Sequence, residues 1–280
     1  MQVINAVSLT KHVEAWLSET RYPRILHVFD DACNLINERK DVLSVVIPQI
    51  GNGPFNLVVE NSLLISERVS LETQISVSPA ELTIGELTIN AVNGILWNPR
   101  PNWEQFHRMR IEILHEQVSF FLPEHELSIP SGLLYSFTTS IVTADLPAMI
   151  SAAKKIAGMG IGLTPTGDDF IMGAIYAIWI IHPTEVAEVL AQEVANAAMP
   201  LTTSLSAAWL MSAGRGEAGQ EWHELLDALT SENQSVIRKR VKNILAVGET
   251  SGADALTGFL ETIQSYIASL SRNAATSSFE

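Results

Sequence analysis

The sequence predicts an α+β protein. A β-rich domain with a short N-terminal helix spans residues 1–100, an all-helical domain follows over 101–270, and 271–280 form a frayed tail. Three observations carry that division. Between His27 and Trp97, short runs rich in Val, Ile and Thr alternate with turn residues, the pattern of half-buried strands. Further on, apolar residues recur at the helical period. Between the two stands Asn98-Pro99-Arg100-Pro101, whose prolines suit neither a strand interior nor a helix interior.

Taken in order, Thr10 to Glu19 reads as a short helix. Asp41 to Pro48 and Phe55 to Glu60 are apolar strands, and Ser62 to Ile65, Gln74 to Ser78 and Glu86 to Val92 are further strands. Gly51-Asn52-Gly53-Pro54, Ser78-Pro79 and Asn93-Gly94 supply turns. Beyond the boundary, Trp103 to Phe121 places Phe106, Met109 and Ile113 near the helical period. Leu146 to Ala157, Asp169 to Ile181, Thr184 to Ala198, Thr203 to Ser212, Gln220 to Leu229, Ser231 to Val247 and Gly252 to Leu270 read as helices.

At 280 residues, 47% hydrophobic and 17% charged, the chain has the composition of a globular protein. A net charge of −14 argues against nucleic acid and anionic membranes as partners, because both require a basic surface. It leaves a small anion open, since local donors outweigh distant charge. Cys33 is the single cysteine, which rules out an internal disulfide and fits a reducing compartment. Met1 to Leu17 lacks the basic and apolar regions of a signal peptide, and the apolar run Phe170 to Ile181 falls short of the roughly 20 residues of a bilayer span. A soluble, cytoplasmic protein is expected.

The most informative stretch is Gly158-Met-Gly-Ile-Gly-Leu-Thr-Pro-Thr-Gly-Asp-Asp169, with Gly173 beyond. It is a glycine-rich loop delivered onto the start of an apolar helix. Thr166-Gly167-Asp168-Asp169, with Gly173, follows the pattern Ser/Thr-Gly-x-Asp-x-x-x-Gly, and Ser251-Gly252-Ala253-Asp254, with Gly258, repeats it. Two helix starts built alike suggest a site assembled between them. Helix N-termini offer unpaired N–H groups and partial positive charge, which suit phosphate or carboxylate. Thr164, Thr166, Thr250 and Ser251 can cap or donate hydroxyls, while Asp168, Asp169 and Asp254 can cap, hold a divalent cation, or accept from a carbamoyl NH2 group. Plain helix capping is the competing reading, and it explains the second segment better than the first.

Other chemistries lack their residues. A Rossmann site needs a strand before the glycines, where Leu146 to Ala157 reads as a helix, and no Gly-Lys-Ser/Thr follows for a Walker loop. The histidines at 12, 27, 107, 115, 125, 182 and 223 are dispersed without metal spacing, and each reads as a surface or satisfied core residue. No Gly-x-Ser-x-Gly elbow is present, and no general base is visible. Arg238-Lys239-Arg240 reads as a solvated helix face, and nothing places Arg215 near the glycine loop.

The wording of Gly158 to Asp169 resembles the hallmark of a bacterial family, long described as a domain of unknown function, that includes the AllH-type subunit of oxamate carbamoyltransferase. Leu245 to Asp254 with Gly258 and Phe259 looks like its C-terminal motif, and Gly51 to Pro54 resembles its N-terminal glycine turn. The resemblance implies purine-nitrogen salvage after allantoin breakdown, in which oxalurate and phosphate give oxamate and carbamoyl phosphate in a complex with other subunits. It supplies no catalytic residue list. On the physical reading, Gly160, Gly162, Gly167 and Gly252, with Asn52 and Gly53 as a further wall, bring backbone donors to an anionic metabolite. Thr164, Thr166, Thr250 and Ser251 add hydroxyls, and Asp168, Asp169 and Asp254 are the candidate catalytic carboxylates, with magnesium a candidate cofactor at Asp168 and Asp169. A non-catalytic scaffold subunit and a small-anion sensor are the alternatives.

Overall fold

The computed structural model describes residues 2–60, 64–108, 110–123, 125–231 and 233–277. The chain divides into two compact units, residues 1–99 with Ala218–Gln220, and Arg100–Glu217 with residues 221–280. The α+β class holds: every strand lies between residues 2 and 96, and all the longer helices follow.

The first unit is a mixed sheet of nine strands. Its centre is β1 (Gln2–Leu9), which pairs antiparallel with β5 (Asn56–Val59) on one side. On the other side β1 runs parallel first to β8 (Leu87–Asn90) and then, from Ser8, to β9 (Ile95–Leu96). The edges are completed by β2 (Arg24–Val28), β3 (Ala32–Ile36) and β4 (Val42–Val46) beyond β5, and by β7 (Glu81–Ile84) and β6 (Ile75–Ser78) beyond β8. The sequence reading did not single out β1, because Val3 and Val7 are apolar yet exposed and blur the alternation that buries Ile4 and Ala6.

Helix α1 (Lys11–Glu19) sets Val13, Trp16 and Leu17 into the sheet's core. Thr10 caps it, accepting from the Val13 N–H while its hydroxyl donates to the Pro54 carbonyl at 2.7 Å. In the same unit the Asn52 side chain accepts from the Ser8 hydroxyl at 2.5 Å and donates to Gln220 Oε1 at 2.9 Å. Part of the expected strand Ser62 to Ile65 lies outside the described residues, and Ile65 opens a 3-10 turn, Ile65–Glu67.

The second unit is helical. The expected helix Trp103 to Phe121 resolves into a 3-10 turn, Trp103–Arg108, and α2 (Ile111–Ser119). α3 (Ser131–Val142) was not anticipated; its threonines, serines and glycine are poor helix formers, and burial of Phe137 and Ile141 decides instead. Then come α4 (Leu146–Ile156), α5 (Thr166–Ile181), α6 (Thr184–Ala198), α7 (Ser204–Gly214), α8 (Gln220–Thr230), α9 (Gln234–Leu245) and α10 (Ser251–Ser277). α10 continues through much of the segment expected to fray. No helix among the described residues is long and apolar enough to cross a membrane.

α5 is buried on nearly every face, which is why its sequence is apolar all round. Its main partner is α10, and the two cross through backbone rather than side chains. A Cβ on Gly173 would lie 1.8 Å from the Ala255 carbonyl oxygen, and one on Gly258 would lie 2.1 Å from the Phe170 carbonyl oxygen. Each glycine of one repeated motif thus receives the residue after the aspartate of the other. The two motifs are related as a reciprocal pair across the crossing.

Gly173→Ala should therefore cost about 3 kcal/mol or more in chemical denaturation, since neither carbonyl can retreat without unwinding its helix. Gly132→Ala, where a Cβ meets nothing within 4 Å, should be neutral or stabilising by up to about 1 kcal/mol. Equal effects of the two substitutions would contradict the close crossing.

Candidate functional site

The same crossing brings Asp169 and Asp254 together. Each sits in the first turn of its helix, one turn before the crossing glycine. Gly167 and Gly252 let those first turns press on the preceding helices: a Cβ there would lie 2.1 Å from the Ile156 carbonyl oxygen and 1.8 Å from that of Ile244. Both carboxylates are consequently buried, Asp169 at 3% exposure and Asp254 at 1%. Across the gap, the Thr164 and Ser251 hydroxyls meet at 2.7 Å.

Asp168 and Asp169 are neighbours with opposite fates. Asp168 Oδ1 accepts from the Gly158 N–H at 2.9 Å, and Oδ2 accepts from the Ser206 hydroxyl at 2.8 Å and from the Thr202 hydroxyl. It clamps the glycine loop and the start of α7 onto α5. Burial pushes its carboxyl above the usual range, and those three donors oppose the shift. Asp169 keeps Oδ2 buried with no partner among the described residues. Its carboxyl is pushed up to about 8, first by burial and then by the Asp254 and Asp168 charges, against the Ser251 and Thr164 hydroxyls.

Asp254 is likewise half-satisfied. His125 Nε2 approaches its Oδ1 at 2.6 Å, while Oδ2 is buried without a partner among the described residues. His125 was read from sequence as a bland surface or core residue; in the structure it is the side chain paired with the motif aspartate. No signal could have found it, because residues 121–123 and 125–130, between α2 and α3, form no helix or strand and their sequence carries no periodicity. A third buried, unpartnered polar atom is the Tyr176 hydroxyl, two turns along α5 from Asp169. Tyr176 is wedged between Trp103 and Trp222, with centroids 5.8 and 4.8 Å away, and burial raises its pKa, with Glu217, Glu221 and Asp169 adding to the effect.

The remaining candidates are placed as follows. The loop glycines Gly160 and Gly162 take φ of +109° and +96°, a region closed to most side chains, and they lie exposed with Ile161. The Gly167 N–H, expected to face a ligand, donates to the Met159 carbonyl at 2.8 Å, and that of Gly252 donates to the Val247 carbonyl at 3.1 Å. Thr166 opens α5, and Thr250 is exposed, its carbonyl accepting the Asp254 N–H. Asn52 and Gly53 belong to the first unit. Arg215 is held by Glu217 at 2.6 Å. Among the described residues no group of three or more His, Cys, Asp or Glu side chains is arranged for a metal ion. With Asp168 committed to its three donors, the unused carboxylate oxygens are those of Asp169 and Asp254.

Residues 156–263 match the family described as oxamate carbamoyltransferase subunit AllH. The match runs from the end of α4 into α10, so it contains all three aspartates and both glycine crossings, but not His125. No solved structure matches the chain.

The raised Asp169 carboxyl ties stability to pH. Unfolded, the group ionises near 3.8; folded, it stays protonated up to about 8. Stability is therefore greatest below the unfolded value and falls as pH rises through that window. Asp169→Asn, neutral at every pH, should melt above the wild type near pH 8 and converge with it towards pH 4. Asp168→Ala should instead lose on the order of 3 kcal/mol, because it strands buried donors. Melting temperatures across the range would check both.

Proposed function

We propose that this chain is a subunit of a carbamoyltransferase-type enzyme, with its ligand held between the α5 and α10 N-termini. The observation that carries the reading is the pair of buried carboxyl oxygens, on Asp169 and Asp254, left without partners among the described residues. An orphaned buried carboxylate oxygen costs free energy unless something donates to it. A carbamoyl or ureido group presents N–H donors in a plane, and the Asp254 carboxylate and the Asp169 carboxyl oxygen accept them while fixing its orientation. The Tyr176 hydroxyl is a further buried polar group on the same helix. The family match to oxamate carbamoyltransferase subunit AllH supports the same class. The substrates of this reading are oxalurate and phosphate on one side, oxamate and carbamoyl phosphate on the other.

The roles divide by charge. Asp169 and Asp254 take the nitrogen end of the substrate. The anionic end faces the exposed Gly160 to Gly162 loop, with the Thr164 and Ser251 hydroxyls between. Backbone donors of that kind stabilise charge developing on a tetrahedral carbon by about 3 kcal/mol each, with no covalent nucleophile. Asp168 acts by holding the loop in place rather than by touching substrate.

In the complex assembled with its partner subunits, Asp169→Asn and Asp254→Asn should each lower kcat/KM for oxalurate phosphorolysis by about 100-fold or more. Size-exclusion chromatography would report assembly. Wild-type turnover by both variants in an intact complex would instead favour a scaffold role for the chain.

A further inference from the structure

The proposed site has carboxylates and hydroxyls but, on the motifs alone, no imidazole. The structure supplies one. His125 reaches α10 from between α2 and α3, and its Nε2 lies 2.6 Å from Asp254 Oδ1. The imidazole is 20% exposed and the carboxylate 2%. A nitrogen facing a buried carboxylate carries the hydrogen, so the neutral ring presents its lone pair at Nδ1. The other oxygen of the same aspartate is one of the two orphans of the site, so the imidazole and the proposed ligand position share one carboxylate. This is the arrangement by which an acid orients a histidine for proton transfer.

We infer that His125, positioned by Asp254, carries the proton in carbamoyl transfer; the inference rests on the function proposed above. Phosphorolysis of oxalurate forms a bond between a phosphate oxygen and the carbamoyl carbon, and breaks the bond from that carbon to the amide nitrogen. The attacking hydrogen phosphate gives up its proton, and the departing nitrogen must gain one to leave as the amide of oxamate. His125 Nδ1 takes the first and returns it to the second, so the balance closes with no other reactant. Asp254 keeps Nε2–H throughout and stabilises the imidazolium formed between the two steps.

The test uses the assembled complex with oxalurate and phosphate, comparing wild type, His125→Gln and His125→Ala. Glutamine keeps an N–H for Asp254, so folding, assembly and KM for oxalurate should stay close to wild type while kcat falls by about 100- to 10,000-fold. Added imidazole should restore part of the rate to His125→Ala and none to His125→Gln. Wild-type kcat in His125→Gln would overturn the inference, as would a loss confined to KM with no imidazole rescue, which would make the contact structural. A wild-type complex that fails to turn over oxalurate would sink the parent function first, and this inference with it.

Discussion

The organisation of the helical unit depends on the backbone contact between α5 and α10. At Gly173 and Gly258 the carbonyl of each helix occupies the space where the other would carry a side chain. Helices this close bring their first turns together as well, which is how Asp169 and Asp254 come to face each other out of water. Gly167 and Gly252 extend the same logic by one turn, seating each helix start on the end of its predecessor. Four glycines therefore do one job. They remove the side chains that would otherwise hold two acidic residues apart.

Such a site is unfavourable for folding. Burial first, and then the neighbouring Asp254 charge, raises the Asp169 pKa, and no cation pairs with it among the described residues. The surroundings compensate. Phe170, Ile171, Ile175, Ile178 and Trp179 bury a continuous apolar surface along α5. Asp168 spends its charge on three donors and pins the loop that precedes the helix. Two adjacent aspartates thus divide the work: one stabilises the architecture and the other remains open to a ligand. Sites that trade stability for unsatisfied polar groups in this way are where binding and catalysis are usually found.

Much of this was legible before any coordinates. The helix starts at Thr166 and Ser251 follow from glycine, hydroxyl and acid preceding apolar runs, a local signal that needs no tertiary information. The repeat of that signal pointed to a shared site. What local chemistry could not separate was Asp168 from Asp169. Both are acids in one helical turn, and only the positions of Thr202 and Ser206, set by α7, decide which is saturated. The Gly167 N–H was similarly ambiguous until the loop folded Met159 back onto it. β1 was missed because the exposed Val3 and Val7 blur its alternation, and α3 because its serines, threonines and glycine are poor helix formers.

By itself, then, the sequence determined the fold class, the order of strands before helices, and the two motifs at which helices begin. Those properties reside in residues close together along the chain: alternation, helical period, prolines and glycines. The tertiary structure alone decided that the motifs oppose each other, that Asp169 and Asp254 each keep a buried oxygen unpaired among the described residues, and that His125 joins Asp254. His125 lies far along the chain from Asp254, between α2 and α3. No rule of local spacing links them. Only the packing of α10 against the elements around it brings the imidazole to the carboxylate.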